Sequence, residues 1–339
     1  MKTQLLPPNK DSISLACELL KQGEIVALPT ETVYGLAGDC TNPLAIKKIF
    51  EAKGRPNDNP LIVHISNLNM LDKIVSRVPE DAKKLMNVFW PGPLTIIMPK
   101  GNGVANETCA GLDSVGVRMP NNKIALEIIE KSGIAFSAPS ANISGKPSPT
   151  TALDVFEDMN TKIPLIIDGG DCIAGVESTV ISVLESTPMI LRPGVITKEQ
   201  IESILNKPIV VANEVTEGVK ENSIVRSPGM KYKHYAPNAD ITILKGPLNK
   251  FVEYVNKNKT QETYILCFDG EENFFNLPCI TFGSASDAKS QAQKLFTALR
   301  TLDKTNAKQV FARCPETTGV SLAVYNRLIR SAGFKIIEI

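Results

Sequence analysis

The chain has no surplus of charge of either sign: 37 lysines and arginines face 36 aspartates and glutamates over 339 residues. Capture of nucleic acid by bulk electrostatics needs such a surplus, so only local patches could serve that purpose. Long apolar runs are also missing. Nothing approaches the ~20 residues that cross a bilayer, and the first ten residues lack an apolar signal core, so a cytoplasmic protein with no membrane partner is expected. The seven cysteines are odd in number, include no Cys-x-x-Cys and have no neighbouring histidine, which disfavours a disulfide framework and a zinc site alike. Histidine is scarce, with only His64 and His234. There is no Walker sequence, no evident Ser/His/Asp arrangement and no carboxylate pair by spacing. Catalysis by positioning substrates and stabilising charge, without a protein nucleophile, is what remains.

The length exceeds what a single core usually supports, so two domains are expected, and 43% hydrophobic with 22% charged residues is an ordinary globular composition. Over the first two hundred residues helical and strand signals alternate. Residues 12–22 read as a helix capped by Ser12 and stopped by Gly23, and strand 25–28 runs into a polar corner at 29–36. Residues 210–233 are polar and lead into a basic, aromatic segment ending His234-Tyr-Ala-Pro237. A second strand–helix alternation follows, suggesting a small, mostly parallel sheet without a Gly-x-Gly-x-x-Gly turn.

Two segments are suited to an anion. Lys53-Gly-Arg55 joins an ammonium to a planar guanidinium fork, and Ser140-Ala-Asn142 brings a hydroxyl and an amide near Lys146. A solvated loop is the plain alternative for the first. Arg118 and Arg192 each end an apolar strand, where a charge is expensive unless a substrate carboxylate or an internal acid meets it. The Gly175-Val-Glu-Ser178 stretch reads as a turn that permits close backbone approach.

Pro29-Thr-Glu-Thr-Val-Tyr-Gly-Leu36, Lys53-Gly-Arg-Pro56, Asn59-Pro-Leu-Ile-Val-His64, Trp90-Pro-Gly-Pro-Leu-Thr95, Val117-Arg-Met-Pro120, Ser137-Ala-Pro-Ser-Ala-Asn142 and Leu191-Arg-Pro-Gly194, in this order, closely resemble the threonylcarbamoyl-adenylate synthases of the YrdC-like family. The Ser227-Pro-Gly229 and His234-Tyr-Ala-Pro237 segments resemble its longer, two-domain branch. The resemblance implies an α/β fold with a twisted open mixed sheet and a concave cavity at 10–205, a linker or lid at 206–238, and a smaller Rossmann-like α/β domain at 239–339. It implies that L-threonine, bicarbonate and ATP give threonylcarbamoyl-AMP and pyrophosphate, for modification of the adenosine beside the anticodon of tRNA. By family position, Thr32, His64, Arg118 and Ser178 would hold threonine. Lys53, Arg55, Asn59, Thr108, Ser140, Asn142, Lys146, Arg192, Ser227 and Tyr235 would hold ATP, with Lys53 and Arg55 catalytic. Mg2+ would ride on the phosphates, a downstream threonylcarbamoyl transferase complex would take the product, and tRNA is a further candidate partner. Two rivals carry different expectations: double-stranded RNA binding without this activity, and carbamoyl transfer in hydrogenase maturation, whose zinc-finger module the chain lacks.

Overall fold

The computed structural model describes residues 2–57, 59–217 and 235–339. Eleven strands form the larger sheet: β1 (Gln4–Leu6), β2 (Val26–Leu28), β3 (Gly35–Asp39), β4 (Ile62–His64), β5 (Leu94–Pro99), β6 (Ser114–Arg118), β7 (Phe136–Ser137), β8 (Leu165–Ile167), β9 (Thr179–Ser182), β10 (Met189–Arg192) and β11 (Val210–Val211). Their spatial order is β1-β8-β2-β3-β7-β4-β6-β5-β9-β10-β11, with parallel and antiparallel neighbours mixed. The smaller sheet joins β12 (Asp240–Lys245), β13 (Thr263–Cys267), β14 (Cys279–Thr281), β15 (Gln309–Arg313) and β16 (Ile336–Glu338) in the order β14-β13-β15-β12-β16, every pairing parallel.

Short, continuously apolar strands are explained by burial on both faces. Val26, Leu28, Leu165 and Ile167 pack under helices Lys10–Lys21 and Lys123–Ser132. The intervening Ala27 and Ile166 point the other way, into a cluster with Ile46 and Ile49 of helix Pro43–Lys53 and Val155 of helix Ala152–Met159.

Several expected boundaries move for local reasons. The first helix begins at Lys10: Asn9 accepts from the Ser12 amide while the Ser12 hydroxyl accepts from the Asn9 amide, so Ser12 closes a capping box from inside the helix instead of capping it. β3 emerges from the polar corner, and β1 pairs with β8 from the far end of the domain. Val210–Val211, inside the segment expected to be linker, adds to β10 as the last strand of the large sheet, and Val215 is buried beyond it.

The two domains meet closely. Gly175 (φ +73) lies so near helix Ala288–Asp303 that a Cβ there would sit 2.3 Å from the Gln293 Cα. Arg300 of that helix donates to the Pro147 carbonyl at 2.7 Å and to Asp158 at 2.8 Å. Helix Ser321–Ser331 reaches across with Asn326, whose amide donates to the Val215 carbonyl at 2.7 Å, and Arg330, which donates to the Glu214 carbonyl at 2.6 Å.

Candidate functional site

Sheet register brings the first functional pair together. β4 and β6 run parallel with His64 opposite Arg118, so both side chains leave the strand ends on one face. Arg118 Nη1 donates to Thr32 Oγ1 at 2.9 Å, and its Nε to the Gly92 carbonyl at 3.3 Å. The Thr32 hydroxyl in turn lies 2.8 Å from that of Thr30, which donates to the Val33 carbonyl at 2.6 Å. An internal acid does meet Arg118: Glu31 Oε2 lies 2.5 Å from Nη2. The alignment is poor, so both Glu31 oxygens and Nη2 keep hydrogen-bonding capacity unspent. His64 stacks on Phe136 with ring centroids 5.5 Å apart and Nδ1 3.1 Å from the Ile62 carbonyl. Burial, reinforced by the Arg118 cation, drops its pKa to about 3 and keeps the ring neutral.

A second cluster forms around the end of helix Pro43–Lys53. The helix stops where Gly54 takes a left-handed conformation (φ 59), a turn that glycine makes without strain. Lys53, 3% exposed, donates to the carbonyls of Ser140 at 2.5 Å and Asn142 at 2.7 Å. Among the described residues no carboxylate forms an ion pair with it. Burial and the neighbouring Arg55 therefore push its pKa well below the usual lysine value. The 138–142 loop is fixed by backbone bonds, Leu36 to Pro139 and Ala141 to Tyr34, both 2.8 Å.

The third cluster closes the cavity toward the C-terminal domain. Arg192, at the end of β10, donates through Nε to the Ser178 carbonyl at 3.0 Å and through Nη2 to its hydroxyl at 3.1 Å. Burial lowers its pKa to about 10, against the pull of Glu177. Burial alone would raise the Glu177 carboxyl, but Arg327, then Arg192, and the Ser148 hydroxyl at 2.5 Å bring it down to about 2. Tyr235 is 5% exposed, takes φ 61 and packs on Phe296 of the C-terminal domain at 5.1 Å.

One cavity is lined by all three clusters. Thr32, Lys53, Arg55, His64, Arg118, Ser140, Asn142, Ser178, Arg192 and Tyr235 are thus brought together. Three expected residues do not reach this wall. Thr108 is fully buried and already bonded, donating to the Cys40 carbonyl at 3.1 Å beside the Ser137 hydroxyl. Lys146 turns outward to Asp158 at 3.2 Å, its side chain about half exposed. Asn59 is fully buried, with neither amide atom hydrogen-bonded. Ser227 lies outside the described residues. Glu177 went unassigned in the sequence; its only local signal is a carboxylate set between Gly175 and the apolar strand β9. Among the described residues no group of three or more His, Cys, Asp or Glu could hold a metal ion, and no helix is long and apolar enough to cross a membrane.

The Sua5/YciO/YrdC family model, described as telomere recombination, matches residues 18–194, and a second, described as threonylcarbamoyl-AMP synthase, C-terminal domain, matches residues 196–333. The chain is 42% identical to the threonylcarbamoyl-AMP synthase of Bacillus subtilis strain 168 over 99% of its own length and 97% of that protein. It is equally 42% identical to the threonylcarbamoyl-AMP synthase of Pyrococcus abyssi, with 96% of each chain covered. A crystal structure of Pyrococcus abyssi Sua5 complexed with L-threonine superposes with a TM-score of 0.93 at 40% identity, covering 99% of this chain and 100% of that one.

Proposed function

Because the chain belongs to the threonylcarbamoyl-AMP synthase family over nearly its whole length, we propose that it converts L-threonine, bicarbonate and ATP into threonylcarbamoyl-AMP and pyrophosphate. The observation that carries this reading is the meeting of two unlike polar clusters in one cavity. Buried Lys53, held by carbonyls rather than by an acid, leaves a positive charge to be answered by phosphate. Arg118, on the cavity wall with Thr32 and His64, keeps hydrogen-bonding capacity at Nη2 for a carboxylate.

In this reading the threonine carboxylate sits on Arg118, its hydroxyl and amine near Thr32 and His64, with Ser178 on the same wall. The ammonium gives up a proton, and the free amine condenses with bicarbonate, by way of carbon dioxide, to a carbamate, with water released. A carbamate oxygen then attacks the α-phosphorus of ATP, the bond from that phosphorus to the bridging oxygen breaks, and pyrophosphate leaves. Lys53 and Arg55 stabilise charge on the phosphates, while Ser140, Asn142, Arg192 and Tyr235 hold the nucleotide. No covalent enzyme intermediate is needed. Magnesium arrives on the phosphates: the carboxylate in the wall, Glu177, is already engaged by Arg327 and Ser148. The product is consumed by a transferase acting on tRNA, and the protein works in the cytoplasm. Full-length identity to synthases supports this reading over RNA binding alone.

The test is pyrophosphate release from ATP with and without L-threonine and bicarbonate. Release only when both are present is expected; release that ignores either one overturns the assignment.

A further inference from the structure

Arg327 belongs to the C-terminal domain, yet it is the largest fully buried side chain among the described residues and spends its guanidinium on the other domain. Nε donates to Glu177 Oε2 at 2.9 Å, and Nη2 to the Glu177 carbonyl at 3.3 Å. Nη1 donates to the Pro193 carbonyl and to its neighbour Asn326 Oδ1. One planar fork therefore holds two separate loops, 177–178 and 192–193. These loops carry Ser178 and Arg192, which bond each other twice in the cavity wall. They also lie against each other: a Cβ on Gly194 would meet the Thr179 amide nitrogen at 2.4 Å.

Charge points the same way. Glu177 stands between two buried guanidinium groups, Arg327 behind it and Arg192 in the cavity wall. The carboxylate partly offsets the repulsion between them; its two oxygens are taken by Arg327 and by the Ser148 hydroxyl, and among the described residues it forms no ion pair with Arg192. Freed from Arg327, Glu177 would be free to compete with a phosphate for Arg192.

We propose that Arg327 is a positioning residue for the ATP half of the site, holding Glu177 back and the 192–193 loop in place so that Arg192 faces the nucleotide. The C-terminal domain thereby completes a site to which Arg327 contributes no atom at the cavity surface. This inference rests on the assignment of Arg192 to ATP made above. It predicts a larger effect on ATP than on L-threonine, because Thr32, His64 and Arg118 hang on β4, β6 and the 29–33 loop, which Arg327 does not touch, and of the threonine wall only Ser178 lies on a loop that it holds.

The experiment compares full-length variants by calorimetric ATP affinity and by KM for each substrate. Arg327→Lys keeps the charge but loses the fork, and the Michaelis constant for ATP is expected to rise at least ~10-fold while that for L-threonine stays within about threefold. Arg327→Met with Glu177→Gln removes both charges, so the double variant should unfold close to the wild-type temperature; with no carboxylate left to compete for Arg192, its ATP binding reads the released 192–193 loop alone and should still be at least ~10-fold weaker. Arg313→Met, which breaks the half-buried Arg313–Glu271 pair inside the C-terminal domain (3.0 Å), controls for general damage and should leave ATP affinity within about twofold. Wild-type ATP affinity in the double variant, equal losses for both substrates, or a matching loss in Arg313→Met would each overturn the proposal. Wild-type protein that binds ATP without threonine-dependent pyrophosphate release would instead overturn the synthase reading and leave the Arg327 comparison decisive on its own terms.

Discussion

Lys53 is an ammonium that folding has taken out of water and given two carbonyl oxygens in place of a counterion. Its lowered pKa in the free protein means that phosphate, once bound, must pull it back up. ATP binding is therefore expected to take up a proton, increasingly as pH rises above the free-state pKa. Calorimetric titration in buffers of different ionisation enthalpy reads this directly, and Lys53→Met should abolish the buffer dependence; buffer-independent heats across the alkaline range would remove the argument. His64 gives the opposite expectation. With its pKa near 3 it is neutral throughout the physiological range, so in an NMR titration the His64 resonances, assigned by comparison with His64→Gln, should show no step between pH 5 and 8, and kcat/KM no break there due to this ring. At this scale much was legible. Strand-end arginines and a cation pair after a helix are local features, and the need for an acid or a ligand at Arg118 follows from solvation alone. Glu177 was illegible because its meaning lies in Arg327, 150 positions away.

Among the elements, the clearest failures of sequence reading are strands that only their neighbours can stabilise. β3, with sequence Gly-Leu-Ala-Gly-Asp, has little intrinsic strand preference, and it is held because β2 and β7 pair with it on either side. β1 is three residues long and depends on β8, which the chain reaches some 160 positions later. Helices Lys123–Ser132 and Lys198–Leu205 start where local caps set them: Asn122 and Thr197 both accept from first-turn amides. The packing of helix Ala288–Asp303 against the catalytic domain carries its own prediction. Gly175→Ala combines a strained left-handed backbone with a Cβ 2.4 Å from the Ala292 carbonyl oxygen, and neither contact is with a flexible side chain. A loss of about 2–3 kcal/mol in denaturant unfolding is expected. An unchanged midpoint would mean that the domains have room to shift apart.

For the whole molecule, the buried Glu177–Arg327 pair ties the domain seam to pH. The folded carboxyl titrates near 2 against an ordinary 4.5, so its contribution is fully present above about pH 4.5 and is lost as pH falls toward 2. The amount at stake is on the order of 3 kcal/mol. Acid unfolding followed by fluorescence should therefore steepen below pH 4.5, and Glu177→Gln should flatten that limb without altering the slope at neutral pH. An identical acid limb in both proteins would place the linkage elsewhere. The small parallel sheet was legible from the alternation of elements, and the large mixed one from the family resemblance of the motifs. The seam was not, because Asn326, Arg327 and Arg330 on one helix look like an ordinary polar helix face until a second domain covers them.

The two family models abut between residues 194 and 196, which invites treating the halves as interchangeable parts. The staple from Arg327 to Glu177 and Pro193 argues otherwise. A chimera that takes its C-terminal half from a relative would inherit a working seam only if the donor supplies a guanidinium at the same point of the same helix. Without one, the graft would carry a carboxylate in its wall stripped of its guanidinium, and swapping would fail at one side chain even where the rest of the interface fits.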